Sequence, residues 1–195
     1  MWDETYSVEE YVYGKAPNGF LFEMSGKLKK GNVLCLAEGE GRNAVHLARQ
    51  GLTVTAVDSS KVGLAKADKL ARESGVSIQT VVADLADYAI EEGTWDSIVS
   101  IFCHLHPDLR RRLHRDVTAG LKKGGTFLLE AYTPRQLEFK TGGPRSAEYL
   151  VELSTLREEL DGLEILHGEE LVRDVTEGSK HTGQGSVVQL LARKN

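Results

Sequence analysis

Two short apolar runs, Val33-Leu34-Cys35-Leu36-Ala37 and Val54-Thr55-Ala56-Val57, flank an amphipathic stretch, and the same alternation continues through most of the chain. The first run predicts a strand over 32–37. A helix over 42–50 follows, which Gly51 stops, and then a strand over 53–58. Ser60 suits the N-cap of a second helix, whose Val62, Leu64, Ala67, Leu70 and Ala71 form one stripe and which Gly75 ends. A third strand is expected over 76–82. Trp95 to Ile101 alternates little, as a central strand buried on both faces does. Pro107 fits the first turn of a helix in which Leu109, Leu113, Val117 and Leu121 recur every four residues. Lys122-Lys123-Gly124-Gly125 reads as a turn and 126–131 as strand five. Upstream, 1–14 is polar and aromatic, with Trp2, Tyr6, Tyr11 and Tyr13, and 19–28 reads as an amphipathic helix. Downstream come a loop, Thr141-Gly142-Gly143-Pro144, a helix near 146–160, and two strand-like runs at about 163–174 and 186–193. A polar loop at 177–185 separates those runs.

Five β-α units followed by a helix and a hairpin predict an α/β fold. Right-handed crossovers then require a doubly wound, mostly parallel, seven-stranded sheet of Rossmann-like type, closed by a C-terminal antiparallel β-hairpin. The whole of 1–195 is expected to form one domain, with 1–30 as an N-terminal cover segment and helix and 31–195 as the core. The formal net charge of −5 argues against nucleic acid as a partner, which needs concentrated Lys and Arg. No run approaches the roughly 20 apolar residues of a membrane span, so no membrane partner is expected. Cys35 and Cys103 each sit in an apolar run, which disfavours a disulfide framework or a zinc site. With no basic, apolar leader at the start, a reducing cytoplasm is the expected location, and a monomer or weak homodimer the expected state.

Candidate chemistry gathers at the strand ends. Gly39 and Gly41 allow a backbone to approach a ligand where a Cβ would clash, and Asp58, at the tip of the second strand, suits ribose hydroxyls. An adenosine-containing cofactor follows. Gly39, Gly41 and Ala44 satisfy the looser dinucleotide pattern, so a short dinucleotide oxidoreductase is a rival reading. Two features point away from it. Asp84 stands at the tip of strand three, where a single adenosine would place its base, and the hairpin replaces the second mononucleotide half.

Gly-Glu-Gly-Arg-Asn (39–43), Val-Asp-Ser-Ser (57–60), Ala-Asp (83–84), Leu-Lys-Lys-Gly-Gly-Thr-Phe (121–127) and the final hairpin together resemble the class I S-adenosylmethionine-dependent methyltransferases over nearly the whole chain. Trp-Asp-x-x-Tyr (2–6) and Tyr-x-Tyr-Gly (11–14) bring it nearest to the small bacterial tellurite-resistance and thiopurine methyltransferase group. The resemblance implies S-adenosyl-L-methionine as cofactor. It places Gly39 and Gly41 against the methionine and ribose parts, Asp58 on the ribose hydroxyls and Asp84 near the adenine amine. Arg42, Asn43, Ser59, Leu85 and Tyr13 complete the implied cofactor set. The family usually has an acid where this chain has Cys35 and glycine where it has Ala37. Glu38 then either substitutes for that acid or points to solvent.

Methyl transfer from an activated donor asks the protein mainly to position the nucleophile and exclude water. A thiolate needs no strong base, whereas an oxygen or nitrogen acceptor calls for one, for which histidine is the natural residue. Of the six histidines, His46 and His114 fall within helices and His167 on a late strand. His104 and His106 follow strand four, and His181 lies in the expected hairpin loop, so these three are the candidate catalytic groups. The opposing reading has His106 capping the next helix and His104 packing locally. Arg110-Arg111-Arg112-Leu113-His114-Arg115 reads as a solvated helix face, and 141–144 as a lid hinge or a plain crossover. The expected function is methyl transfer to a small molecule, such as a thiol or chalcogen oxyanion, with a non-catalytic S-adenosylmethionine-binding regulator as the alternative.

Overall fold

The computed structural model describes residues 2–195; Met1, the first residue of the expected cover segment, lies outside them. Seven strands form one sheet in the order β3-β2-β1-β4-β5-β7-β6. They are β1 (Asn32–Leu36), β2 (Thr53–Asp58), β3 (Gln79–Val82), β4 (Trp95–Ile101), β5 (Leu121–Tyr132), β6 (Leu163–Glu177) and β7 (His181–Lys194). The first five run parallel; β7 pairs antiparallel with both β5 and β6. Strand order reverses between β1 and β4, and at such a switch point a crevice opens beyond the carboxyl ends of the strands. All seven residues of β4 are buried, as its unbroken apolar run requires.

Among the described residues the α-helices are α1 (Trp2–Tyr6), α2 (Gly19–Met24), α3 (Arg42–Arg49), α4 (Lys61–Glu73), α5 (Pro107–Gly120) and α6 (Leu153–Glu159). On one face Phe20 and Leu21 of α2 and Ala44 and Leu47 of α3 pack on β1, β2 and β4. On the other, Leu113 and Val117 of α5 and Leu156 of α6 pack on β4, β5 and β7. Ser60 caps α4 by accepting the Gly63 N–H at 3.0 Å, and Pro107 opens α5.

Four expectations needed correction. The link from β3 to β4 carries no helix, so the β-α repeat is broken there. Its backbone is instead tied to the end of α5, with Gly93 N–H donating to Ala119 O and Thr94 N–H to Gly120 O, while Leu85 and Ile90 enter the core. Strand five is longer than 126–131, because Leu121 already pairs with Trp95 before an irregularity in the ladder. The helix near 146–160 is a single 3-10 turn at Ala147–Tyr149 and then α6. Between them Val151 N–H bonds Tyr132 O at 3.1 Å, and the buried Leu150 and Val151 hold the chain extended. The hairpin strands continue to Glu177 and from His181, so the polar loop shrinks to three residues.

The basic run on α5 is largely committed within the fold. Arg110 and His114 converge on the buried Glu159 of α6, at 2.9 Å from Arg110 Nη2 and 2.7 Å from His114 Nδ1. Arg112 donates to Leu85 O at 2.6 Å. Burial opposes ionisation of Glu159, but the His114 and Arg110 hydrogen bonds outweigh it and hold the carboxyl down to about 2. A carboxyl depressed in the folded state contributes stability that is complete above its ordinary value near 4.5 and is lost as pH falls toward 2. Glu159→Ala leaves Arg110 without its partner in the interior and is expected to cost about 3 kcal/mol in urea unfolding at pH 7. Glu159→Gln is expected to show a flatter stability profile than the parent between pH 5 and pH 3.

Candidate active site

A cleft of about 800 Å³ lies beyond the carboxyl ends of β1 to β4. That volume falls within the range of small-molecule sites. Its floor is the turn after β1 and the tips of β2, β3 and β4. Its roof is α1, Tyr13 and the 142–145 loop.

The turn is organised by one carboxylate. Asp58 Oδ2 accepts the Gly39 N–H at 2.8 Å, and Oδ1 accepts the Ser60 N–H at 2.8 Å, which ties the turn to the start of α4. Burial raises the Asp58 carboxyl, and the two N–H donors pull it partly back. Gly39 and Gly41 have φ of +63° and +89°. A Cβ on Gly39 would lie 2.6 Å from the Tyr6 hydroxyl, and one on Gly41 2.5 Å from Ala67 Cβ. Both glycines therefore admit close approach of other parts of the protein, and neither lines the cleft.

Glu38 does not point to solvent. It is buried at 9% exposure and accepts the Asn43 N–H at 3.0 Å and the Ala44 N–H at 2.8 Å, so it caps α3 from within the turn while lining the cleft. Burial raises its carboxyl to about 7, against the pull of those donors and of Arg42. Arg42 reaches Glu177 at 2.6 Å and Tyr13 O at 3.3 Å, and Asn43 Oδ1 accepts the Asn18 N–H at 2.9 Å. Ser59, Asp84 and Leu85 line the β2–β3 end, where Asp84 is exposed and accepts the Ala86 N–H at 2.8 Å.

The three candidate histidines separate. His104 lines the cleft, but its Nε2 accepts the Tyr132 N–H at 3.1 Å; burial, with His181 adding to it, lowers its pKa to about 3. The imidazole is neutral with that lone pair engaged, and it ties the tip of β4 to β5. His106 is half exposed, lies outside the cleft lining and caps α5. His181 belongs to β7, not to a loop. It is buried at 5% exposure because the hairpin register runs on to Glu177, and it lines the cleft. Its Nδ1 has no hydrogen-bond partner and lies 3.9 Å from Glu177. Cys103 lines the cleft as a free thiol that burial, with Asp58 nearby, raises to about 12.

Sequence reasoning missed Tyr6, Phe102, Glu40, Arg145 and Lys180 of the lining. Tyr6 had a signal: the i, i+4 spacing with Trp2 stacks both rings on one face of α1, at 5.6 Å. The segment is fastened by Lys66 of α4, which donates to the carbonyls of Tyr6, Val8 and Glu10 and pairs with Glu40 of the turn at 2.5 Å. Asp3 accepts the Ser60 hydroxyl at 2.5 Å. Among the described residues no cluster of three or more His, Cys, Asp or Glu could hold a metal ion, and no helix is long and apolar enough to cross a membrane.

The two left-handed glycines flanking α3 separate strain from crowding. At Gly51 (φ +86°) a Cβ meets nothing within 4 Å, whereas at Gly41 it meets Ala67. Gly51→Ala is expected to cost about 1 kcal/mol and Gly41→Ala about 3 kcal/mol in chemical denaturation.

Residues 33–125 match the profile of a family described as a methyltransferase domain. No curated protein matches the chain. Among solved structures, one from a study of the conversion of a disulfide bond into a thioacetal group during echinomycin biosynthesis aligns over 100% of this chain and 91% of its own, with a TM-score of 0.78 and 19% identity. TehB from Haemophilus influenzae aligns over 100% of this chain and 66% of its own (0.77, 20%). A SAM-dependent methyltransferase from Methanosarcina mazei aligns over 85% and 93% (0.70, 16%). At these identities the likenesses bear on the fold, and their sheet agrees with the antiparallel closure seen here. Residues 33–125 are thus similar to a methyltransferase domain, and the whole chain shares the α/β Rossmann-like fold of the methyltransferase structures it aligns with.

Proposed function

We propose that the chain methylates a small-molecule acceptor whose nucleophile is soft or already anionic, such as a thiol or a chalcogen oxyanion, in a cytoplasmic setting and as a monomer or weak homodimer. The observation that carries this reading is the shortage of proton acceptors at the β4 end of the cleft. His104 has its Nε2 engaged and stays neutral, His106 lies outside, and only His181 keeps an unpartnered nitrogen. An alcohol or amine acceptor depends on a base; a thiolate or oxyanion does not. We read 1–30 as a cover that works as one unit with the 31–195 core, in keeping with the Asp3 and Lys66 contacts.

The cleft fits S-adenosylmethionine in size and in its buried carboxylates, which suit a ligand with hydroxyl and ammonium donors. When bound, the cofactor supplies a methyl group already activated on a sulfonium centre. Asp58 would accept from the ribose hydroxyls, and Asp84, Ser59 and Leu85 would border the base. Glu38, with Arg42, Asn43 and Tyr13, would hold the amino-acid end. His181 would orient the acceptor. Trp2, Tyr6 and Tyr13 would exclude water from above.

Calorimetric titration tests the cofactor assignment. Micromolar binding of S-adenosylmethionine and S-adenosylhomocysteine is expected, with at least a ~10-fold loss in a folded Asp58→Ala variant. No heat from either ligand would overturn the site assignment. Transfer of labelled methyl to thiols, selenite or tellurite, but not to alcohols or amines, is the expected acceptor pattern. Glu38 adds a proton linkage. Its carboxyl near 7 is largely protonated at pH 6, and an ammonium placed beside it favours the charged form. Binding is therefore expected to release protons at pH 6 and to tighten as pH rises through 7. Titration in two buffers of different ionisation enthalpy measures this, and Glu38→Gln should abolish it.

A further inference from the structure

The hairpin closes on a pair of unlike side chains. Glu177 of β6 stands opposite His181 of β7 in the register, and opposite residues of an antiparallel pair project to one face. Glu177 Oε2 lies 3.9 Å from His181 Nδ1. The carboxylate keeps its charge, because Arg42 and Arg173 donate to it at 2.6 and 3.0 Å. Tyr13 of the cover and Tyr132 of β5 face the same ring, at 4.8 and 5.5 Å, and His104 stands close by beyond β4. Burial raises both phenols and lowers His104, so none of the three is charged near neutral pH. Lys180 and Arg145, on the same cleft wall, are exposed to solvent, which screens them. Of the two ring nitrogens of His181, only Nδ1 is both sealed from solvent and without a hydrogen-bond partner, so Nε2 is the one left to the cleft. A neutral imidazole carries one proton. On Nδ1 that proton faces a carboxylate; on Nε2 it would leave the sealed Nδ1 lone pair facing the same negative charge.

We propose that Glu177 is a positioning residue that keeps the proton of neutral His181 on Nδ1, so that Nε2 presents a lone pair to the cleft, and that the acceptor this lone pair selects is a protonated thiol. The inference rests on the methyl-transfer reading above and narrows its acceptor. A thiol donates its S–H to Nε2 and is oriented by it, whereas an oxyanion arrives with no proton to share and meets the lone pair with like charge. An imidazole of ordinary pKa, about 6.5, suits a thiol near 8.5 and is far too weak for an alcohol. As the acceptor sulfur takes the methyl group, its S–H bond breaks toward Nε2. The pair that held the methyl stays with the donor sulfur, which leaves as a neutral thioether. The imidazolium so formed stands beside Glu177, whose charge stabilises it until the proton returns to solvent. His104 does not compete, because its Nε2 is engaged by the Tyr132 N–H.

Nitrogen-15 correlation spectra of the labelled, unliganded protein at pH 8, with His181 assigned through its own backbone, read the tautomer without any ligand. A neutral ring protonated at Nδ1 is expected; a ring protonated at Nε2 overturns the proposal. Methyl transfer to the sulfur of 2-mercaptoethanol is then followed across neutral to alkaline pH in the parent and in His181→Gln, with thermal unfolding of each. The variant is expected to lose about 100-fold in kcat at neutral pH, and the deficit to shrink as rising pH supplies thiolate from solution. No deficit, or one that stays constant with pH, overturns the proton transfer. In the parent, kcat/KM for the thiol is expected to exceed that for selenite or tellurite, and the reverse order overturns the thiol assignment. Should His181→Gln not fold, the tautomer and the acceptor order in the parent decide. A parent that binds no S-adenosylmethionine in calorimetry overturns the methyl-transfer reading and the acceptor with it, while the tautomer still reports the Glu177–His181 pair.

Discussion

Two buried carboxylates and two guanidinium groups, interleaved around one asparagine, hold the distant parts of this chain together. Glu130 of β5 is fully buried and accepts from Arg173 Nε and Nη2 at 2.8 and 2.6 Å, from Asn18 at 2.6 Å and from Gln189 at 2.7 Å. Glu177, at the end of β6, accepts from Arg42 at 2.6 Å and from Arg173 and Asn18, each at 3.0 Å. Burial alone would raise the Glu177 carboxyl; the neighbouring His181, Arg42 and Arg173 instead hold it far below the usual range. Taking these charges out of water costs several kcal/mol each, and only complete pairing offsets that cost. The constraint is therefore collective: the hairpin, the start of α3 and the α2 N-cap must all be in place for any one of these charges to be tolerated.

That constraint explains the shape of the cleft. Arg42 is the first residue of α3, directly after the glycine turn, and Asn18 caps α2 by accepting the Leu21 N–H at 3.0 Å. Fastening both to Glu177 draws the hairpin over the turn and brings His181, four residues on, into the cleft wall beside Tyr13 and Phe102. The aromatic end of the cleft thus stands on a polar foundation.

What was legible in the sequence follows from the range of the interactions that decide each element. β2, β4 and α5 depend on local apolar runs and caps such as Ser60 and Pro107, and they appear where those signals stand. The ends of the hairpin depend on partners far away. Glu177, Lys180 and His181 read as a solvated loop until Arg42, 135 residues upstream, is seen to neutralise Glu177. The helix expected near 146–160 is interrupted because Val151 bonds Tyr132, a contact no periodicity announces. The glycine turn was recognised for a reason the geometry changes. The clashes that exclude a side chain at Gly39 and Gly41 are with Tyr6 and Ala67.

The substitution of acid positions in the turn has its own logic. With Cys35 inside β1 and fully buried, the carboxylate next after it along the chain is Glu38, three residues on, in the turn. There it serves two neighbours at once. It accepts the second and third N–H groups of α3, which a negative charge at a helix N-terminus favours, and it faces the cleft. Burial holds the carboxyl near 7, so the unliganded protein keeps it on the edge of ionisation at physiological pH. A cationic ligand group beside it would complete the ionisation and strengthen the cap in the same step. Arg42, the first residue of that helix, meets Glu177 at 2.6 Å, so one ion pair joins the capped turn to the hairpin that forms the far wall.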